Sequence, residues 1–261
     1  MPRIHAFELE DQPWFPRSIR DAMTDYLGFV GNLSPAPYQA FTARLHEAMA
    51  AMGEHEILDL CSGGTGPLPS ILRLLEEQHG FQATARMTDL HPNLGKFEYA
   101  RAGSQGRIDF VGESVDATQV PEQLGGFRLI SNALHHFRPD MARAILADAV
   151  ARRRGIAVFE ALTRSPLAAV GILPSPLLVL LTTPFIRPFH WSRLFWTYVV
   201  PVVPLACLWD GLMSVARIYS PDELQALVSE IPGNEGYVWD IGKLPVPGAP
   251  VSITYLIGRP R

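Results

Sequence analysis

The chain has 261 residues, 48% of them hydrophobic, and a formal net charge of -4. This length allows a large core, and we expect one α/β domain with an insertion. Lys96 and Lys243 are the only lysines, and the small negative charge argues against a nucleic-acid partner.

The cysteines and the amino-terminal segment indicate a reducing compartment. Cys61 and Cys207 make no disulfide framework and have no metal-ligand spacing, so no metal site is expected. Glu8, Glu10 and Asp11 lie where a secretory signal needs an apolar core. We therefore predict retention in the cytoplasm.

The predicted elements begin with two helices between residues 16 and 52. Their inward-facing residues are Ile19, Met23, Leu27 and Val30 in the first helix and Phe41, Leu45 and Met49 in the second. Strands then alternate with helices, at 57–60, 83–89, from 108, 127–132 and 155–160. A serine-capped helix at 220–228 and two closing strands follow a long interruption. This alternation predicts a parallel sheet with helices on both faces.

The stretch EILDLCSGGTGPLPSILRLL at 56–75 is the strongest local signal. Asp59 closes a buried strand, and Gly63, Gly64 and Gly66 follow in the turn before a helix. Glycine permits close backbone approach at the carboxyl end of a parallel strand, and a helix start offers free N–H groups to a ligand. A strand-to-helix turn that binds nothing is the alternative.

The next three strands also lead into polar residues. The second strand ends in Asp89 and Leu90, and the third leads to Asp116 and Ala117. The fourth runs into SNALHHF at 131–137, which includes Asn132. A carboxylate at the end of the second strand can accept hydrogen bonds from both hydroxyls of a ribose.

From about residue 55 to 160, and more weakly from 218 to the end, the sequence resembles the Rossmann-like S-adenosylmethionine-dependent methyltransferases. The resemblance implies a mostly parallel seven-stranded sheet and an S-adenosyl-L-methionine cofactor. It implies that the cofactor is held by Asp59, Cys61, Gly63, Gly64, Gly66, Asp89, Leu90, Asp116, Ala117 and Asn132. In this chain Cys61, Gly63 and Thr65 stand at the usual glycine positions of the loop, so the loop is shifted or one residue longer.

A nicotinamide cofactor is a weaker alternative. The chain has no GxGxxG in register after the first strand and no Tyr-xxx-Lys pair. Asp59, which precedes the glycines, also suits the ammonium group of a methionine moiety.

Three residues are candidates for catalysis. His135 and His136 follow the fourth strand, where a base could deprotonate an acceptor, although a histidine there could equally cap a loop or pack under Phe137. Asp210 is the first acid after Glu160 and either lines the pocket or caps a helix.

Other polar residues have weaker roles. Arg217 and Tyr219 could hold a polar group of the acceptor, or could be a surface arginine and a strand-edge tyrosine. Tyr26 and Arg20, on the first helix, lie where the resemblance implies a lid over the cofactor.

An apolar interruption separates the fifth strand from the last helix. Residues 165–186 carry no charge, but four prolines divide them, and a second apolar block follows at 194–209. These blocks could cap a hydrophobic substrate, dock to a membrane, form a dimer face or span a bilayer.

We therefore expect an amino-terminal helical lid at 1–54 and a methyltransferase domain at 55–261, with an apolar cap at 163–212. The expected activity is methylation of a lipophilic small molecule, with oxygen favoured as the methylated atom. Peripheral membrane contact and a homodimer are left open. The alternative function is a membrane-associated binding protein on the same fold.

Overall fold

The strands and helices follow the predicted alternation, and the computed structural model describes residues 2–64 and 66–261. Within these ranges the strands are β1 (Glu56–Leu60), β2 (Thr84–Met87), β3 (Ile108–Phe110), β4 (Phe127–Ser131), β5 (Ile156–Glu160), β6 (Tyr237–Pro245) and β7 (Ser252–Pro260). The α-helices are α1 (Arg17–Gly31), α2 (Ala36–Met52), α3 (Leu68–His79), α4 (Leu94–Gly103), α5 (Pro139–Ala151), α6 (Pro166–Ile172), α7 (Ser175–Thr182), α8 (Trp191–Leu194), α9 (Val202–Arg217) and α10 (Pro221–Ser229).

The strands form one seven-stranded sheet in the order β3-β2-β1-β4-β5-β7-β6. Neighbours from β3 to β5 are parallel, whereas β7 is antiparallel to both β5 and β6. The mostly parallel sheet is therefore confirmed, with one reversed strand that makes it mixed. The order reverses between β1 and β4, and a crevice opens beyond the carboxyl ends of strands at such a point.

Two apolar clusters cover the faces of the sheet. On one face Phe41 and Leu45 of α2 pack in a cluster with Phe127 and Phe159 of the sheet. On the other face α5 and α10 cover the strands through residues such as Ile145. The second amino-terminal helix is thus part of the main core, and strands covered on both faces are apolar throughout rather than alternating.

A third cluster joins α1 to the apolar helices. Met23 and Tyr26 pack with Val179 of α7 and Val203 of α9. Leu27, which we expected on the inward face, is 54% exposed. The inward stripe instead passes through Tyr26, seven residues after Ile19, which is an equally good helical spacing.

The apolar blocks form α6 to α9. Together α6, α7 and the turns that join and follow them make one helical stretch, Pro166–Phe185, of 20 residues with a mean hydropathy of 1.8, long and apolar enough to cross a membrane by length and composition. The helices of Trp191–Val199 and Val202–Arg217 meet at a bend of 83° and meet the same criterion only as a pair.

Candidate active site at the carboxyl ends of the strands

The turn after β1 is held by hydrogen bonds between neighbouring strands. Asp59 is buried, and the Ser62 hydroxyl donates to its Oδ2 at 2.5 Å. The Thr88 hydroxyl donates to the main-chain oxygen of Asp59 at 2.9 Å. The ends of β1 and β2 are therefore tied together directly beneath the glycine turn.

Gly63 brings the turn onto Asp89. Its φ is +54°, and the Gly63 N–H donates to Asp89 Oδ2 at 2.7 Å. Asp89 Oδ1 accepts from the His91 N–H at 2.8 Å. A Cβ at Gly63 would meet no atom within 4 Å, but the left-handed φ would strain any other residue. Glycine is needed here for the backbone conformation.

Three predicted carboxylates converge on Cys61. After burial, the negative charges of Asp89, Asp59 and Asp116 are what raise the pKa of the Cys61 thiol. The pKa of Asp59 is itself raised to about 7, first by burial and further by Asp89, although the Ser62 hydrogen bond opposes the shift. The residues are distant in sequence, and the N–H groups of Gly63 and Val115, which both bind Asp89, bring their segments to one edge of the sheet.

The Asp116 segment lies beside β2. The Val115 N–H donates to the main-chain oxygen of Asp89 at 2.9 Å. The exposed Asp116 Oδ1 accepts from the Thr118 N–H and hydroxyl at 2.8 and 2.7 Å. The adjacent Ala117 is buried in the core.

The crevice is negatively charged. Among the described residues, Asp59, Asp89 and Asp116 form no ion pair with Lys, Arg or His, and their bonded partners are hydroxyls and N–H groups. Leu90 is exposed at the same rim. Since no cation neutralises them, the carboxylates favour a positively charged ligand.

Helix α1 borders the glycine turn on one side. Asn32 Nδ2 donates to the Gly66 oxygen at 3.0 Å, and a Cβ at Gly64 would lie 3.4 Å from Cγ2 of Thr24. Lys96 Nζ lies 3.0 Å from Asp25 Oδ1 and crosses from α4 to α1. A cavity of about 590 Å³ lies between α1, the start of α4 and the 186–193 segment.

The ends of β4 and β5 hold a histidine against a carboxylate. His135 is buried, and its Nδ1 lies 2.8 Å from Glu160 Oε2. The His135 N–H donates to Glu160 Oε1 at 3.1 Å. Asn132, at φ +53°, accepts at Oδ1 from the Ala161 N–H at 2.7 Å. Glu160 therefore fixes the imidazole at Nδ1, while the buried Nε2 has no hydrogen bond among the described residues and lies 3.8 Å from Glu8 Oε1.

His136 belongs to a different network. Its Nδ1 lies 2.8 Å from Asp11 Oδ1 and 3.3 Å from Glu8 Oε2. Burial alone would lower the pKa of His136, but the Asp11 hydrogen bond and the charges of Glu8 and Glu10 raise it to about 9. His136 is consequently protonated at neutral pH and holds the amino-terminal segment as a cation.

Arg217 completes this network and is not the surface residue we considered, since its side chain is 2% exposed. Its Nη1 lies 2.7 Å from Asp11 Oδ2 and 3.2 Å from Glu8 Oε1, and its Nη2 donates to the His136 oxygen at 2.8 Å. The Tyr219 hydroxyl donates to the Phe137 oxygen at 2.8 Å. Both side chains are engaged with the protein itself.

Asp210 and Tyr26 lie outside the crevice. Asp210 Oδ1 and Oδ2 accept from the N–H groups of Leu9 and Glu10, at 2.7 and 3.1 Å, and burial raises its pKa to about 7. Asp210 is inside α9 and neither caps it nor faces the glycine turn. Tyr26 is buried in the cluster between α1 and α9, which raises its pKa to about 12.

Sequence reasoning missed Glu160 and Glu8 as site residues. Glu160 had a signal, because an acid at the carboxyl end of a buried strand is the same pattern as Asp59. Glu8 had none, since the contact that brings residues 2–16 onto α9 is entirely tertiary. Glu8, His135 and His136 offer ligand atoms within 4.8 Å of one another, but a divalent cation would have to displace the His136 proton and the Arg217 guanidinium that pairs with Glu8.

Comparisons with known proteins find solved structures of low sequence identity, and the three described here have TM-scores below 0.5. No family model matches the sequence, and no curated protein matches it. An O-methyltransferase family protein of Burkholderia thailandensis is 15% identical, with a TM-score of 0.48 over 85% of this chain and 56% of that one. The mitomycin 7-O-methyltransferase MmcR is 15% identical, with a TM-score of 0.47 over 97% of this chain and 70% of that one.

A Rhodobacter sphaeroides structure named for zinc-dependent alcohol dehydrogenases is 14% identical, with a TM-score of 0.49 over 94% of this chain and 98% of that one. By contrast, this chain covers 56% of the Burkholderia protein, little more than half of its length. All three TM-scores are below 0.5, so the reaction has to be inferred from the site itself.

Proposed function

We propose that the chain is an S-adenosylmethionine-dependent methyltransferase that methylates a lipophilic small molecule, with oxygen as the favoured acceptor atom. The observation that carries the proposal is the group of three carboxylates, Asp59, Asp89 and Asp116, that share one crevice without a neutralising cation.

The charge of the crevice suits this cofactor better than a dinucleotide. S-Adenosylmethionine has a sulfonium and an ammonium group, and both are stabilised near carboxylates. A nicotinamide dinucleotide would bring a pyrophosphate dianion beside the same acids, with like-charge repulsion. Cationic cofactor and anionic crevice therefore favour methyl transfer over hydride transfer.

Each of the crevice residues would bind a different part of the cofactor. Asp59 would bind the ammonium group, Asp89 the ribose hydroxyls, and the Asp116–Ala117 pair would border the adenine. The Gly63 φ of +54° lets the turn approach the ligand closely. Bound S-adenosylmethionine supplies an activated methyl group for an in-line displacement.

His135 is the better of the two histidines for a base. Glu160 holds its Nδ1 at 2.8 Å, so the buried Nε2, which lies 3.8 Å from Glu8 Oε1, is the atom that would take a proton from an acceptor hydroxyl. His136 is already protonated at neutral pH and cannot do so. With an acceptor in hand, we expect His135→Gln to lower kcat by a factor of about 10²–10⁴ while leaving cofactor affinity unchanged.

Calorimetry with S-adenosylhomocysteine tests the cofactor assignment. We expect the wild-type chain to bind, and Asp89→Asn and Asp59→Asn each to weaken binding at least about tenfold, the loss of one charge-assisted contact. Asp109→Asn is the matched control, since Asp109 is an exposed acid on β3 whose ion-pair partner is Arg101 of α4.

Absence of binding, or equal binding by all four proteins, would reject the proposal. That result would favour the second candidate, a membrane-associated binding protein without transferase activity. The exposed apolar surface of α6 to α9 is the observation in favour of that alternative.

A further inference from the structure

The helical stretch Pro166–Phe185 exposes its large apolar side chains and buries small or polar ones. The side chains that it buries are small or polar and follow one stripe: Ala168, Ser175, Val179 and Thr183. The side chains that it exposes are large and apolar and follow the opposite stripe: Leu167, Val170, Leu173, Leu177, Leu178, Leu181 and Phe185. Surface helices in water have the reverse arrangement.

The exposed apolar surface continues into the next segment. Phe189, Trp191, Phe195, Tyr198 and Val199 are exposed as well, Trp191 to 78%. Soluble monomers rarely expose a contiguous apolar patch of more than a few hundred Å². We call these twelve exposed residues between 167 and 199 the apolar face.

The apolar face takes no part in the cavity beside it. On this side the cavity is lined by Ile186, Arg187, Pro188, His190, Ser192 and Arg193, and by none of the twelve residues of the apolar face, whose side chains are exposed. A cap over a lipophilic substrate would turn its large apolar side chains toward the substrate. The orientation therefore favours an external apolar phase.

The charges around the apolar face match a bilayer surface. No Asp or Glu occurs between Glu160 and Asp210, so nothing there repels anionic headgroups. Arg187 is exposed, and Trp191 and Tyr198 have the amphipathic character of side chains that lie at the headgroup boundary.

One side of the helical stretch packs against α1 and α9. Val179 packs with Met23 and Val203, so one side of the helix belongs to a core cluster, and only 22% of its apolar window is buried. A spanning helix would have to leave that cluster. We propose that the apolar face docks the protein onto a lipid bilayer, with α6 and α7 lying in the interfacial plane.

Vesicle flotation on the purified full-length chain tests the proposal. The probes are phosphatidylcholine vesicles with and without a minor share of phosphatidylglycerol. We expect the protein to float with both, and a few-fold more with the anionic lipid because Arg187 adds one favourable charge. Aggregated protein stays at the bottom of the gradient, so flotation separates docking from self-association.

A matched pair of double variants identifies the surface. Leu177→Gln/Leu181→Gln removes two leucines of the apolar face, and we expect the partition coefficient to fall at least about tenfold. Met141→Gln/Val238→Gln removes two exposed apolar residues on α5 and β6 and should float like wild type. Thermal unfolding of both variants confirms that they remain folded.

Two results would overturn the proposal. One is wild-type protein that fails to float with either vesicle. The other is a wild-type dimer in light scattering that becomes a monomer in Leu177→Gln/Leu181→Gln, without vesicle binding, which would identify a second copy as the occupant. The outcome does not depend on S-adenosylhomocysteine binding, so this proposal and the proposed function can fail separately.

Discussion

The carboxyl-end crevice and the apolar face differ in which side chains they expose to water. Beside the crevice, ionisable side chains such as His135 and Arg217 are buried and lie against carboxylates. On the apolar face, leucine and phenylalanine side chains lie in the open, Phe185 to 68%. Burying a charge is costly unless it is paired, and exposing apolar area in water is costly unless another phase covers it. Each region therefore implies a partner: paired charges within the protein in one case, and an external apolar phase in the other.

The largest loss of stability is expected when buried carboxylates lose their cationic partner. Arg217→Met leaves Asp11 and Glu8 without their guanidinium, and we expect the free energy of unfolding to fall by about 3–5 kcal/mol. Urea unfolding measures the change. Arg73→Met, at an exposed position on α3, should stay within about 0.5 kcal/mol of wild type. Equal losses in the two variants would contradict the contrast.

The second effect is a pH dependence that only the buried network can produce. The folded-state pKa of His136, about 9, lies above its ordinary value of 6.5, so its stabilisation is complete below pH 6.5 and is lost as pH rises through 9. We expect the free energy of unfolding to fall by about 1–3 kcal/mol between these limits.

His136→Gln should remove this decline. Urea unfolding at a series of pH values, on both proteins, gives the two slopes. A wild-type decline that persists in the variant would assign it to another group.

The third effect comes from Asp59, which lacks a cationic partner, so that its replacement is expected to stabilise the fold. Its folded-state pKa, about 7, lies above its ordinary value of 3.8, so ionised Asp59 destabilises the fold increasingly as pH rises from 3.8 to 7. We expect Asp59→Asn to raise the free energy of unfolding by about 1–2 kcal/mol at pH 8 and to change it little at pH 4. Denaturant unfolding at both pH values checks this, and a loss of stability at pH 8 would mean that the carboxylate is matched after all.

The smallest effect is expected on the apolar face. Leu177→Gln and Leu181→Gln should each change the free energy of unfolding by less than about 0.5 kcal/mol, since both side chains are already exposed. Val179→Gln, on the buried side of the same helix, should cost more than about 2 kcal/mol. If the leucine variants lose as much as the valine variant in urea unfolding, the exposed face is in fact part of the folded core.

The sequence by itself determined the alternation of strands and helices, because periodicity and capping are local. It also located Asp59, Asp89 and Asp116, since each follows a strand and parallel strands bring their carboxyl ends to one edge. The uncharged run at 165–186 was also evident from the sequence alone.

Only the tertiary structure decided how the histidines differ and which way the apolar helices face. Glu160 meets His135 across two neighbouring strands, and Asp11 meets His136 through an amino-terminal segment with no local pattern of its own. The direction of the leucine stripe depends on which side of the helix meets α9. Composition is the same for either orientation, so packing between distant segments had to decide it.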